Sequence, residues 1–138
     1  MKLYIAGPIR GEDPKKCVTS FDITEGELRN CGYDVFNPIT DHKYLLERAD
    51  VLTMEELKQI FREDISALLI CDGVALLGEW QESRGACGEY WIAQACKMPT
   101  LSVDQWKDVS YVEKSIRKQQ EERSVCIRCG QKVPEDKR

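Results

Sequence analysis

The feature that most constrains this chain is a recurring order: a short apolar β-type run, then a turn, then a stretch of helix length. The runs are Lys2–Ala6, 33–36, 72–77 and 99–103. The third, "DGVALL", is apolar without alternation, as expected of a parallel strand covered on both faces. Strands alternating with helices predict right-handed crossovers and a parallel sheet sandwiched between helical layers. In such sheets ligands bind outside the carboxyl ends of the strands. The loops at 7–14, 37–52 and 78–84 should therefore converge on one crevice.

Turn residues punctuate the runs. "GPIRGEDP" forces a loop after the first strand. A loosely amphipathic helix over 15–31, carrying Val18, Phe21, Ile23 and Leu28, is ended by Gly32. Asn37-Pro38 stops the second strand, and the segment that follows holds the single histidine, His42. A clear amphipathic helix runs over 53–69, with Thr53 as N-cap and Glu56 completing a capping box. Another helix spans 85–97. Beyond Asp108 the sequence turns polar, and "EKSIRKQQEER" predicts an exposed or partner-packed helix. The organisation expected is an α/β domain over 1–107, a helix over 108–123 and a flexible tail over 124–138, since 138 residues make one compact core.

Charge and composition exclude several classes of function. With 20 basic and 24 acidic residues, the chain lacks the positive surface that nucleic acid or an anionic membrane requires. No apolar run approaches the roughly 20 residues of a membrane span, and the N-terminus lacks a signal-peptide layout, so a cytoplasmic protein with small-molecule or protein partners is expected. Cys17, Cys31, Cys71, Cys87 and Cys96 fall within apparent strands and helices, and are expected to be small buried hydrophobes.

Two acids stand on apolar faces. At roughly 100° per residue, Leu57, Ile60, Phe61, Ile65 and Leu68 form one stripe, and Asp64 falls within about 20° of its centre. Burying an unpartnered carboxylate costs several kcal/mol or raises its pKa. An alternative is an acid capping a loop or paired with Arg62 or Arg10. Glu89 shares its side of the next helix with Ile92, Ala93 and Cys96; the alternative there is an ordinary acid near a helix N-terminus. The two helices flank the third strand, so both carboxylates can reach one crevice. Such a pair suits acid/base or nucleophilic chemistry at a glycosidic carbon.

Two loops are candidate anion cradles. "GPIRG" offers unobstructed backbone N–H groups with Arg10 beside them. "ESRGA" offers Ser83, Arg84 and the free amides of a helix start at Gly85.

"YIAGPIRG", "VFNP", "FREDISALLICDGVALL" and "ESRGACGEYWIAQACKMPT" resemble, in order and spacing, the nucleoside 2-deoxyribosyltransferase superfamily over 2–103. Its small nucleoside 5'-monophosphate N-glycosidases, and related uncharacterised phage and bacterial proteins, are most similar. The resemblance implies a flavodoxin-like, Rossmann-like three-layer α/β sandwich with a mostly parallel sheet of four to five strands. It implies a homodimer or higher homo-oligomer and a nucleotide substrate, with no cofactor and no metal. Glu89 matches the family's catalytic glutamate, and Asp64 the acid that helps protonate the departing base. Ser83 stands where the hydrolases carry a phosphate-binding serine; Ile9, Arg10 and Gly11 match their phosphate loop. Tyr4 and Gly7 are implied to line the floor, and Asn37 to lie near the base.

The reaction implied is hydrolysis of a (deoxy)nucleoside 5'-monophosphate to free base and sugar phosphate. Base exchange by the same covalent chemistry is the alternative, and a non-catalytic nucleotide-binding protein a third. "GEWQ" departs from the pattern: Trp80 would stack on a base at the crevice rim or pack at a dimer contact. His42 matches no role and is expected to be structural or exposed. Cys126-x-x-Cys129 resembles half a zinc knuckle, but a zinc site needs four ligands, so a free tail is expected.

Overall fold

A computed structural model describes residues 1–9, 11–42, 51–123 and 130–132 of the chain. Four strands, β1 (Lys2–Ala6), β2 (Asp34–Phe36), β3 (Gly73–Leu76) and β4 (Thr100–Ser102), form one sheet in the order β2-β1-β3-β4. Every pairing is parallel, with Leu3 opposite Val35 on one side and Gly73 on the other, and Ala75 opposite Leu101. The fold class is the α/β sandwich expected from the sequence.

The alternation of side chains along β1 creates two cores. Leu3 and Ile5 face the layer of α1 (Pro14–Asn30), joined by Phe21, Leu28, Val35 and Ala75. Tyr4 and Ala6 face the other way, with Leu68, Val74, Leu76, Ala86 and Ala93. That second layer is α3 (Met54–Ile70) and α4 (Arg84–Ala95). The short α2 (Pro38–His42) follows β2 directly.

Local sequence explains the boundaries. Asp13 caps α1 by accepting from Lys15 N and Lys16 N, with Pro14 in the first turn. Past its end, Gly32 takes φ 94°, a left-handed conformation that glycine reaches without Cβ strain. The capping box at Thr53 and Glu56 is present, Thr53 Oγ1 accepting from Glu56 N at 3.1 Å and Glu56 Oε1 accepting from Thr53 N at 3.2 Å.

Two elements follow β4: α5 (Val103–Lys107), which the sequence did not reveal, and α6 (Val109–Arg123). α5 brings in Trp106, fully buried, whose Nε1 donates to Val74 O at 2.8 Å. The ring lies where a Cβ on Gly73 would be, at 2.7 Å from Trp106 Cζ2, so the third strand begins with glycine for want of space. Within α6, Val112 is buried in the α1-side core.

The cysteine expectation needs correction. Cys17 and Cys71 are buried and Cys87 is half-buried, but Cys31 and Cys96 are exposed. Both are the C-cap residues of their helices, α1 and α4, where the chain has run past the core. Among the described residues no helix is long and apolar enough to cross a membrane.

Candidate active site

The sheet order places β2 and β3 on opposite sides of β1, so chains leaving the carboxyl ends of β1 and β3 diverge and open a crevice. A cleft of about 750 Å3 lies there. Gly7, Ile9 and Gly11 line it from the first loop, Pro38, Ile39, His42 and Leu52 from the second, and Glu82, Ser83 and Arg84 from the third. At Gly7 the chain leaving β1 runs close against that leaving β3: a Cβ there would sit 3.1 Å from Leu77 Cβ and from Leu77 O. A second depression, about 480 Å3 on α1 beside Lys15, Lys16 and Thr19, contains no acid and shares no residue with the cleft.

Glu89 and Asp64 both line the cleft, at 7% and 6% exposure. Burial drives the pKa of Glu89 up to about 8; the negative charge of Asp64 adds to the rise, while the neighbouring Tyr4 hydroxyl opposes it. Tyr4 is fully buried in β1, and its own pKa is raised by burial first and then by the charges of Glu89 and Asp64. Its hydroxyl stands beside Glu89 without meeting strict hydrogen-bond geometry with any described residue. Tyr4 is thus beside Glu89 but not among the residues that line the cleft, whereas Gly7 forms part of its wall.

Of the two expectations for His42, structural or exposed, the exposed one does not hold. Its Nε2 lies 3.2 Å from Asp64 Oδ1 and 3.6 Å from Glu63 Oε2, and the side chain is only 13% exposed. Because α2 begins immediately after β2, its last residue reaches the cleft opposite α3. The arginine alternative for Asp64 does not hold for Arg62, whose Nη1 donates to Gln59 Oε1 at 3.1 Å. Arg10 lies outside the described residues.

Ser83 caps α4 by accepting from Ala86 N at 3.2 Å, and the helix start at Arg84 and Gly85 opens into the cleft. With Ile9 and Gly11 opposite, the expected anion-cradle residues that are described share one cavity. Asn37 does not join them. Its side chain is buried, Oδ1 accepting from Ile39 N at 3.0 Å and Nδ2 donating to Asp22 Oδ1 at 3.3 Å, so it serves to turn β2 into α2. Trp80 packs against the α3–α4 core and meets Tyr90 at 4.6 Å between ring centroids with the rings tilted by 33°, and it is not among the residues that line the cleft. Cys126 and Cys129 lie outside the described residues, among which no group of three or more His, Cys, Asp or Glu could hold a metal.

Lys58 and Phe61 also line the cleft. The sequence placed Phe61 on the apolar stripe of this helix and assigned Lys58 nothing; only a position relative to a cavity distinguishes them.

The family model described as "Domain of unknown function (DUF4406)" matches residues 1–102. The chain belongs to that family. No curated protein matches the sequence. A solved structure of a 2-deoxyribosyltransferase from the psychrotolerant bacterium Bacillus psychrosaccharolyticus is similar in fold, with a TM-score of 0.53 and 21% identity, over 72% of this chain and 69% of that one.

Proposed function

We propose that this DUF4406 protein cleaves the N-glycosidic bond of a (deoxy)nucleoside 5'-monophosphate, releasing free base and a sugar 5-phosphate. The observation that carries the reading is the burial of Glu89 and Asp64 at one cleft, close enough that the charge of one shifts the titration of the other. Charged like this, two neighbouring carboxylates hold one proton between them near neutral pH. Such a pair contains both reagents the cleavage needs.

In the reaction the bond between C1' and the base nitrogen breaks, and the base leaves with the electron pair and the shared proton, delivered through Asp64. The Glu89 carboxylate bonds to C1'. Water then attacks C1', its proton passes to Asp64, and Glu89 leaves as a carboxylate, restoring the single shared proton. His42 positions Asp64 through the 3.2 Å contact. The Tyr4 hydroxyl, beside Glu89, is placed to donate to the carboxylate as it re-forms.

The 5'-phosphate is proposed to lie at the start of α4, where Ser83, the Gly85 amide and the helix dipole favour an anion, with Ile9 and Gly11 lining the same cleft. Oligomerisation is part of this reading, with the protein acting in the cytoplasm: Trp91 on α4, 68% exposed, and Ile70 at the end of α3, 74% exposed, are large apolar side chains that a second copy would cover.

Base exchange is the second reading, favoured by the likeness in fold to a 2-deoxyribosyltransferase. Incubation with a panel of nucleoside and deoxynucleoside monophosphates, with chromatography for free base, separates the cases. The hydrolase releases base without an acceptor, and Glu89→Gln abolishes the release. Base appearing only when a second base is supplied indicates the transferase. Tight binding with no turnover indicates a nucleotide-binding protein and ends the enzymatic reading. Equal use of dephosphorylated nucleosides removes the phosphate assignment.

A further inference from the structure

The apolar stripe of α3 divides its work along the helix. Its C-terminal part, Ile65 and Leu68, packs into the α3–α4 core. Its N-terminal part, Leu57, Ile60 and Phe61, belongs to neither core cluster and lines the cleft instead. These side chains face a cavity rather than other apolar side chains, so the helix presents a dry wall with no hydrogen-bonding group among those three residues. Asp64 follows Phe61 by almost one turn, which sets this wall next to the reacting centre.

Phe61 is held in a particular way. A Cβ on Gly88 would lie 3.0 Å from Phe61 Cζ, and one on Gly85 would lie 4.0 Å from Phe61 Cε2. The far edge of the ring thus reaches α4 at two glycines one turn apart, and α4 has no side chain at either place to displace it. The ring reaches from α3 to α4 by its edge, meeting α4 at Gly88, the residue before Glu89, and leaving α3 three residues before Asp64. A ring fixed by its edge keeps a face for a ligand, and Phe61 remains 38% exposed.

We propose that Phe61 is the stacking platform for the nucleobase and that Leu57 and Ile60 complete an apolar base subsite, so that the base is bound by its flat face more than by its hydrogen-bonding edge. This rests on the nucleotide reading of the cleft. The subsite accepts any base with a π-face, with purines bound more tightly than pyrimidines because they offer more area.

Binding of the four common 2'-deoxynucleoside 5'-monophosphates and of 2-deoxyribose 5-phosphate to the full chain, measured by calorimetry in the Glu89→Gln background, tests this. Stacking on an aromatic side chain is worth ~5- to 150-fold in affinity. Phe61→Ala should weaken every nucleotide about tenfold or more and leave the sugar phosphate unchanged; Phe61→Trp should bind like the parent, and Phe61→Leu should not. Unchanged nucleotide affinity in Phe61→Ala, or an equal loss for the sugar phosphate, overturns the proposal. Should Phe61→Ala misfold, the comparison of the Leu and Trp variants decides, and equal affinities there overturn it. A Glu89→Gln protein that binds no nucleotide at all overturns the nucleotide reading as well, whereas strong binding indifferent to Phe61 overturns the base platform alone.

Discussion

Asp64 and Glu89 line the same cleft from separate helices, α3 and α4, and the charge of Asp64 adds to the burial that raises the pKa of Glu89 to about 8. Burial is the larger cause of the Glu89 shift and the charge of Asp64 the second; Glu89 exposed to water would be an ordinary carboxylate.

Replacing Asp64 with Asn removes the charge but leaves the burial. The pKa of Glu89, followed by carboxyl-selective NMR titration, is then expected to fall below 8 and remain above its ordinary 4.5. Base release falls about 100- to 10,000-fold, because the group that delivers the proton to the base is gone. An unshifted Glu89 titration in this variant would show that the two acids do not interact.

Stability should respond to pH through Glu89. Its folded-state pKa is raised, so between pH 4.5 and about 8 the folded protein keeps a proton that the unfolded chain has released. Stability is therefore lost as pH rises through that window, by an amount on the order of a few kcal/mol. Glu89→Gln, which carries no charge at any pH, should melt well above wild type at pH 8 to 9, and the gap should close below pH 4.5. Parallel melting curves across this range contradict the burial of a titrating group.

Asp64 and Glu89 were legible in the sequence because a charged residue centred on an apolar stripe breaks the helical pattern, and breaking it has a cost that a functional site explains. The parallel sheet was legible from "DGVALL" and its flanking turns. His42 was not, because its partner is 22 residues away and the helix that aims it is too short to show periodicity. Phe61 could not be told from a core residue for a different reason: periodicity reports which face of a helix is apolar, and not whether that face meets a core or a cavity. Asn37 shows the converse, a polar residue beside the site whose hydrogen bonds to Ile39 N and Asp22 are local structure. Trp106 and α5 went unseen because a five-residue helix directly after a strand leaves no pattern to read.

In the proposed mechanism His42 acts through Asp64, 3.2 Å away. His42→Ala is expected to lower kcat on the order of 100-fold, the cost of letting a reacting group drift by about 1 Å, with a smaller effect on KM. His42→Gln, which keeps a donor near Asp64, should recover part of the loss. A change confined to melting temperature, with kcat intact, would make the histidine purely structural.

Gly73→Ala tests the packing of the third strand. The new Cβ would meet Trp106 Cζ2 at 2.7 Å, in a ring that is fully buried and bonded to Val74 O. Chemical denaturation should show a loss of about 1–3 kcal/mol or more, with Trp106 emission shifted as the ring is displaced. A variant as stable as wild type would mean that Trp106 can move freely, contrary to its hydrogen bond.

The most direct test of the account is the mass of the intact protein after rapid quenching with a 2'-fluorinated deoxynucleoside 5'-monophosphate, whose fluorine disfavours positive charge at C1' and so slows breakdown of a glycosyl intermediate as well as its formation. The account predicts an added mass equal to the fluorinated sugar phosphate, released base in equal amount, and the label on the peptide containing Glu89. Base release that persists in Glu89→Ala, or a label on any other residue, contradicts it.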